Sequence, residues 1–315
     1  MLKKPRILVS KCLGFCKCRY DGAVLPSKFV EAIKPYVDFV QVCPEVEIGL
    51  GVPRDFVRLV LVDDKLELYQ PKNDRFVTDE MNEYSHRVLS EINEVEGAIL
   101  KGRSPTCGIK DVKIYHGTKK GTGSSKGVGI FADHVYSYFP TAAIEEEGRL
   151  TNLRIREHFL VKLFTNMRFK NIENLEIKDL VNFHASHKFL LMTYSQKELK
   201  NLGNIVANHK NLPYKEVLAL YKHHLGLALL NPPTTKNITN TLMHLLGYFS
   251  KDLIREEKEF LLENLEKIKN EKIHIGVPVG LMKSYAIKYK QDYILNQVIW
   301  EPFPDELLNI KDSGS

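Results

Sequence analysis

The sequence lacks both a long apolar segment and a secretion signal. A membrane-spanning helix needs about 18 consecutive apolar residues, and no run in the 315-residue chain approaches that length. The N-terminus leads directly into Ile7-Leu-Val-Ser10, which is shorter than the apolar core of a signal peptide. These absences predict a cytoplasmic protein without a membrane partner, and we expect a monomer.

Cysteine is scarce, and the chain has none after Cys107. The five cysteines are an odd number, and a reducing compartment disfavours a disulfide framework. Metal, cluster or thiol chemistry confined to the first half of the chain is the alternative.

The common nucleotide-binding motifs are also missing. The glycine-rich segment 117–127 lacks the Gly-Lys-Ser/Thr ending of a P-loop and the spacing of a dinucleotide-binding loop. It is either a surface loop or a lysine-bearing lid that contacts a substrate phosphate, and the sequence leaves both open.

The first half of the chain has almost no excess charge. Residues 151–315 hold 23 Lys and Arg against 18 Asp and Glu, whereas residues 1–150 hold 22 against 21. The formal net charge of +6 therefore comes almost wholly from the second half. Such asymmetry is typical of a nucleic-acid partner, but a solvated basic surface produces it as well.

The first half alternates between strand and helix patterns. Apolar runs at Arg6–Ser10, Phe39–Val42 and Gly97–Lys101 are separated by helical spacing, and Val128–Ile130 is a fourth candidate strand. Alternating strands and helices form parallel βαβ units. We therefore predict an α/β domain, doubly wound around a mainly parallel sheet, over residues 1–148.

The second half has a different period. Apolar residues recur at helical spacing in successive segments that prolines interrupt. We predict a mainly α-helical domain over residues 149–315.

Three cysteines follow the three best strand candidates. Cys12, Cys43 and Cys107 each come shortly after an apolar run. Because parallel strands share one carboxyl edge, these thiols can meet there and hold zinc or an iron–sulfur cluster. Glu45 and Ser104 lie beside two of them, and a carboxylate with a hydroxyl near a metal can activate water. Three unlinked buried thiols are the alternative.

Three segments resemble, in order, the signatures of the thiouracil desulfidase family. They are Val9-Ser-Lys-Cys-Leu-Gly-Phe-Cys-Lys-Cys-Arg-Tyr-Asp-Gly22, Cys43-Pro-Glu-Val-Glu-Ile-Gly-Leu-Gly-Val-Pro-Arg54 and Lys101-Gly-Arg-Ser-Pro-Thr-Cys-Gly108. The second half resembles the helical domain often fused to that family, through segments 183–192, 202–208 and 297–304. Fusions of this kind are similar to tRNA 4-thiouridine desulfidases.

The resemblance implies a cofactor and two catalytic residues. The family holds a [4Fe-4S] cluster on three cysteines, which Cys12, Cys43 and Cys107 match. Cys18 occupies a position of the first signature that often carries another residue, so it is the reserve ligand, whereas Cys16 falls at a variable position. Glu45 matches the family's catalytic acid/base, and Ser104 matches its essential serine.

The implied function is non-redox removal of sulfur from 4-thiouridine in tRNA, which yields uridine and hydrogen sulfide. One alternative is a desulfidase of free thiouracil or thionucleosides. A second is a non-catalytic, metal-bound RNA-binding module, and a third is a zinc hydrolase. The expected partner is therefore a thiolated tRNA or a small thiopyrimidine.

Further substrate-binding candidates are polar side chains near the cysteine loops or in the helical half. They are Arg19, Tyr20, Asp21, Arg54, Lys101, Arg103, His184, His187 and Lys188. Residues 19–22 are equally consistent with a turn in which Gly22 has a positive φ. The two histidines are consistent with a zinc pair, with a hydrogen-bonded core or with an RNA-facing pair.

Overall fold

The computed structural model describes residues 3–173, 175–208 and 211–308 of the chain. These residues form two compact units. The first runs to Met167 and takes in the described residues from Glu306 onward, and the second comprises Arg168–Asp305. The predicted change from an α/β to a mainly helical architecture is confirmed. The domain boundary between residues 148 and 149 stays a prediction.

Strands and helices alternate in the first unit. Its described strands are β1 (Arg6–Ser10), β2 (Asp38–Val42), β3 (Arg58–Val62), β4 (Lys65–Gln70), β5 (Arg75–Phe76), β6 (Gly97–Leu100), β7 (Val112–Tyr115), β8 (Ser124–Gly127) and β9 (Ala143–Glu146). Its helices are α1 (Lys28–Ile33), α2 (Pro44–Glu47), α3 (Thr78–Ile92), α4 (Ile130–Tyr138) and α5 (Leu153–Lys170), the last of which ends in the second unit.

The second unit is built from helices. They are α6 (Ile177–Tyr194), α7 (Gln196–Ala207), α8 (Tyr214–Ala228), α9 (Thr235–Gly247), α10 (Arg255–Lys269), α11 (Gly276–Lys288) and α12 (Asp292–Leu295). Tyr221 and Phe249 are fully buried in its core. Across the described part of both units, no helix has the length and apolar character that a bilayer crossing requires.

A four-stranded parallel sheet places the strand ends that carry the cysteines. Its order is β2-β1-β6-β9, and all three pairings are parallel. The chain leaves β1 towards β2 on one side, whereas β6 and β9 lie on the other, so the connections diverge between β1 and β6. Ligands bind at the carboxyl edge of such a divergence. Ile7, Leu8 and Val9 of β1 are fully buried, as expected for a strand covered on both faces.

A second sheet has the order β5-β4-β3-β7-β8 and is mixed. The β3–β4 and β7–β8 pairings are antiparallel, whereas β3 and β7 are parallel. β8 and the turn before it contain most of the glycine-rich segment 117–127. That segment is thus part of a hairpin at the edge of this sheet.

The predicted strand at Val128–Ile130 is wrong. The N–H of Gly129 donates to the carbonyl of Gly108 at 2.7 Å, and Ile130 begins α4. These backbone groups bind the Cys107 loop, so they are not available to a strand. The fourth parallel strand is β9, whose residues Ala143–Glu146 pair with β6.

Candidate active site

A cavity of about 690 Å³ opens at the carboxyl edge of the parallel sheet. Four cysteines line it, namely Cys12, Cys18, Cys43 and Cys107. The register explains part of this convergence, because Ser10 at the end of β1 lies beside Val42 at the end of β2. Cys16 is exposed and is not among the lining residues.

Cys12, Cys18 and Cys107 lie in an environment that opposes the ionisation of their thiols. Burial raises the pKa of Cys12 to about 11, and the neighbouring Cys43 adds to this effect. Burial likewise raises the pKa of Cys107 to about 12 and shifts the pKa of Cys18 upward. A bound metal centre supplies the positive charge that stabilises thiolates.

The cavity contains a set of soft thiol donors. Among the described residues, no three His, Cys, Asp or Glu side chains are gathered closely enough to hold one metal ion. Iron–sulfur clusters are held by cysteine thiolates. Cys12, Cys43 and Cys107 on three neighbouring loops provide soft ligands of this kind.

Glu45 is held in the cavity wall by an arginine. Cys43 follows β2, and Pro44 begins α2, where a proline costs no hydrogen bond. The Glu45 Oε2 atom lies 2.5 Å from Nη2 and 2.9 Å from Nε of Arg54. Both side chains are largely shielded from solvent, at 13% and 4% exposure. Arg54 also donates through Nη1 to the carbonyls of Cys18 and Gly51, so its guanidinium is committed to the site wall.

The other carboxylate oxygen of Glu45 meets two hydroxyls. Thr106 Oγ1 donates to Oε1 of Glu45 at 2.8 Å, and Ser104 Oγ lies 3.4 Å from the same atom. The two hydroxyl oxygens are 2.9 Å apart. Ser104 Oγ also accepts the N–H groups of Thr106 and Cys107, both at 3.2 Å. Ser104 therefore organises the loop that carries Cys107.

Close backbone contacts shape this loop. A Cβ atom added to Gly108 would lie 2.8 Å from the carbonyl oxygen of Ser104, and one added to Gly129 would lie 2.5 Å from that of Thr106. Only glycine allows both approaches.

Two glutamates at the end of β9 were not among the predicted site residues. Glu146 is buried, and its Oε1 accepts the N–H groups of Ile109 at 2.8 Å and Lys110 at 3.2 Å. Glu147 accepts the N–H of Gly102 at 2.7 Å and forms an ion pair with Lys101. The fold places Glu146 and Glu147 against the backbone of the Cys107 loop, and no motif in the sequence indicated this position.

We predict that Glu146→Ala lowers the free energy of unfolding by roughly 1–3 kcal/mol, because two backbone N–H groups lose their acceptor. Glu146→Gln keeps an acceptor oxygen and should cost less. Urea unfolding of both variants beside Glu83→Ala, at an exposed position of α3, measures the difference. Equal stability of Glu146→Ala and the exposed control would contradict the prediction.

The remaining candidates of the first unit lie at or near the same cavity. Arg19, Tyr20, Lys101 and Arg103 line it, whereas Asp21 is not a lining residue and contacts Arg19 at 3.5 Å. The turn expected from the sequence is also present, since Gly22 has a φ of 73°. The loop of residues 19–22 therefore both lines the cavity and forms a turn.

The three candidates of the second unit lie on α6. His187 is 2% exposed, its ring stacks on Phe183 at 3.9 Å, and its Nδ1 donates to the Phe183 carbonyl at 2.8 Å. Burial lowers the pKa of His187 to about 3. This is the hydrogen-bonded core arrangement, and a contact of the ring with substrate stays a prediction. His184 Nδ1 is 3.1 Å from the Tyr221 hydroxyl, and Lys188 Nζ lies 5.6 Å from the Phe189 ring centre.

Comparison with known proteins identifies both halves of the chain. The 2-thiouracil desulfurase family matches residues 7–147, and a family described as a protein of unknown function, DUF1722, matches residues 188–304. YbbK of Bacillus subtilis, an uncharacterized protein, is 31% identical over 129 residues, which are 38% of this chain and 83% of YbbK. YbgA of Escherichia coli, also uncharacterized, is 25% identical over 136 residues, which are 43% of this chain and 80% of YbgA.

A solved structure described as a [4Fe-4S]-dependent thiouracil desulfidase, TudS, is 26% identical. The match spans 47% of this chain and 93% of the TudS chain, with a TM-score of 0.37. The family match supports an enzyme that desulfurises thiouracil-type compounds. The chain belongs to the 2-thiouracil desulfurase family through residues 7–147, which are joined to a DUF1722 domain.

Proposed function

We propose that the chain replaces the sulfur of a thiolated pyrimidine with oxygen from water. The thiocarbonyl and water give a carbonyl and hydrogen sulfide, and no electrons are transferred. The observation that carries the proposal is the position of Glu45, which lines one cavity with four cysteines and is fixed at both carboxylate oxygens. A pure binding module needs no carboxylate oriented in this way.

Cys12, Cys43 and Cys107 would hold a [4Fe-4S] cluster, with Cys18 as the reserve ligand. Such a cluster supplies a Lewis-acidic iron that is soft enough to polarise a carbon–sulfur bond.

The residues of the chain orient the carboxylate of Glu45 and transfer the protons of the attacking water. Arg54 binds Oε2 of Glu45 and Thr106 binds Oε1, so the carboxylate cannot rotate freely. A water molecule beside Oε1 gives a proton to Glu45 as its oxygen bonds to the carbon. The carbon–sulfur bond breaks as Glu45 returns this proton to the departing sulfur. The second proton of the water, left on the new hydroxyl, also passes to the sulfur through Glu45 as the carbonyl forms, which gives hydrogen sulfide. Ser104 lines the same cavity and accepts the N–H groups of Thr106 and Cys107, so it orders the loop beside Glu45.

The proposed physiological substrate is 4-thiouridine in tRNA. The support is the basic excess of residues 151–315 and the resemblance of that half to the domain fused to the family in tRNA enzymes. A base in folded tRNA must be extruded to reach a cavity, at a cost of a few kcal/mol that binding of the rest of the RNA offsets. Free thiouracil or a thionucleoside is the alternative substrate, and it needs no such binding energy.

The deciding experiment uses the full chain, reconstituted anaerobically with iron and sulfide. It is incubated with thiolated tRNA and, separately, with 4-thiouracil, and both sulfide release and loss of the thiolated base are measured. We expect sulfide in equal amount to the base lost. Absence of sulfide with both substrates refutes the desulfidase proposal, and turnover of 4-thiouracil alone refutes the tRNA proposal.

We also predict that tRNA affinity falls steeply as salt rises, because binding a polyanion releases counterions. Turnover of 4-thiouracil is the matched control and should change little over the same range. Binding is measured by filter retention or fluorescence at several salt concentrations. A tRNA affinity that is insensitive to salt would contradict a backbone-binding role for the basic half.

A further inference from the structure

We infer that Thr106 is a positioning residue for the proposed reaction, and that it holds Glu45 in its working orientation through a chain of hydrogen bonds from Ser104. This inference rests on the proposed desulfidase function and adds a residue to it. Thr106 lies between Ser104 and Cys107 in the chain and is 0% exposed.

The hydrogen bonds of Thr106 can be assigned by counting protons. A hydroxyl carries one proton, and Thr106 Oγ1 donates it to Oε1 of Glu45 at 2.8 Å, while Arg54 binds the other carboxylate oxygen. The 3.7 Å contact to Cys107 Sγ is longer, so the proton goes to the carboxylate. Thr106 Oγ1 is then the acceptor in its 2.9 Å contact with Ser104 Oγ.

Ser104 links this series of hydrogen bonds to the backbone. Its oxygen accepts the N–H groups of Thr106 and Cys107, so its own proton points away from the backbone and towards Thr106. The order of donation is therefore backbone N–H to Ser104, Ser104 to Thr106, and Thr106 to Glu45. Each donor in this series fixes the rotamer of the next group.

The hydrogen bond from Thr106 holds the second carboxylate oxygen of Glu45, Oε1, in place. Arg54 binds only Oε2, at 2.5 Å and 2.9 Å. Without Thr106, Oε1 keeps only the 3.4 Å contact with Ser104, which is too long for a strong hydrogen bond. The carboxylate could then turn about its terminal bond, and a general base that is misplaced by about 1 Å can lose roughly a hundredfold in rate.

The test compares Thr106→Val, which keeps the shape and removes the hydroxyl, with Thr106→Ser, which keeps the hydroxyl. We expect Thr106→Val to lower kcat for 4-thiouracil by roughly 10- to 100-fold, with a much smaller change in KM, and Thr106→Ser to recover most of the loss. Iron content and melting temperature should stay near those of the wild type. Thr165→Val is the matched control, because Thr165 is also fully buried in the first unit and its hydroxyl has no hydrogen-bond partner in the described structure.

A double variant tests the order of hydrogen-bond donation from Ser104 through Thr106 to Glu45. If Ser104 acts on Glu45 through Thr106, the kcat of Ser104→Ala/Thr106→Val should be close to that of the more damaged single variant, because residues in series are not additive. Wild-type rates in Thr106→Val, or a fall in Thr106→Ser as large as that in Thr106→Val, overturn the inference. A wild-type protein that releases no sulfide overturns the proposed function itself, and the inference with it.

Discussion

Glu45→Gln is expected to lower desulfidation of 4-thiouracil by roughly 10²- to 10⁴-fold, the usual contribution of a general acid–base group. Glutamine keeps the size of the side chain and an oxygen that can accept from Thr106, but it cannot take a proton from water. Iron and sulfide content should remain at wild-type levels, because no proposed ligand is changed. Sulfide release and visible absorption, measured on the same sample, separate the two properties.

The variant also removes the charge that faces Arg54, so its folding must be checked. Glu45→Asp keeps that charge but withdraws the carboxylate by one methylene, and it should lose rate with little loss of melting temperature. Glu47→Gln is the matched control, since Glu47 lies on the same short helix and is exposed. If Glu45→Gln turns over substrate at the rate of Glu47→Gln, Glu45 is not the acid/base.

Cys43→Ser and Cys107→Ser are expected to prevent stable cluster binding. Both thiols are buried at the cavity wall, and serine supplies a hard oxygen ligand in place of a soft sulfur. After anaerobic reconstitution, iron and labile sulfide per chain should fall to a small fraction of the wild-type values. Iron analysis and absorption spectra give the result without reference to turnover.

Two other cysteines make the experiment selective. Cys16→Ser should retain full iron, because Cys16 is exposed and outside the cavity lining. Cys12→Ser and Cys18→Ser compare the ligand expected in the first loop with its reserve. Full iron in Cys43→Ser would contradict the proposed ligand set, and zinc in place of iron in the wild type would favour the hydrolase alternative.

Much of the first unit could be predicted from the sequence. The strand prediction at Arg6–Ser10 coincides with β1, because this strand is buried on both faces and its sequence is a continuous apolar run. β9 was missed, since Ala143–Glu146 contains two glutamates and does not have the pattern of a core strand. Its place in the sheet comes from pairing with β6, which is a non-local interaction.

The candidate site also contains features that follow from local sequence and features that depend on non-local contacts. Cys43 and Glu45 are two residues apart in the chain, so their juxtaposition needed only the short helix that Pro44 begins. The hydrogen-bond partners of Glu45 could not be predicted in this way. The sequence makes Arg54 a candidate for substrate binding and not a partner of Glu45, and Thr106 is 61 residues away in the chain. Side-chain hydrogen bonds of this kind depend on how loops meet, and periodicity carries no signal for them.

The sequence by itself determined the two structural classes, the family signatures and the thiols that a soft metal centre would need, because each of these is recorded in residue type and local spacing. Only the tertiary structure decided which oxygen of Glu45 each partner binds, that Glu146 and Glu147 support the Cys107 loop, and that His187 belongs to a core. These outcomes depend on which loops meet at the carboxyl edge of the parallel sheet and which side chains pack inside the helical unit. Both are set by packing between segments far apart in the chain.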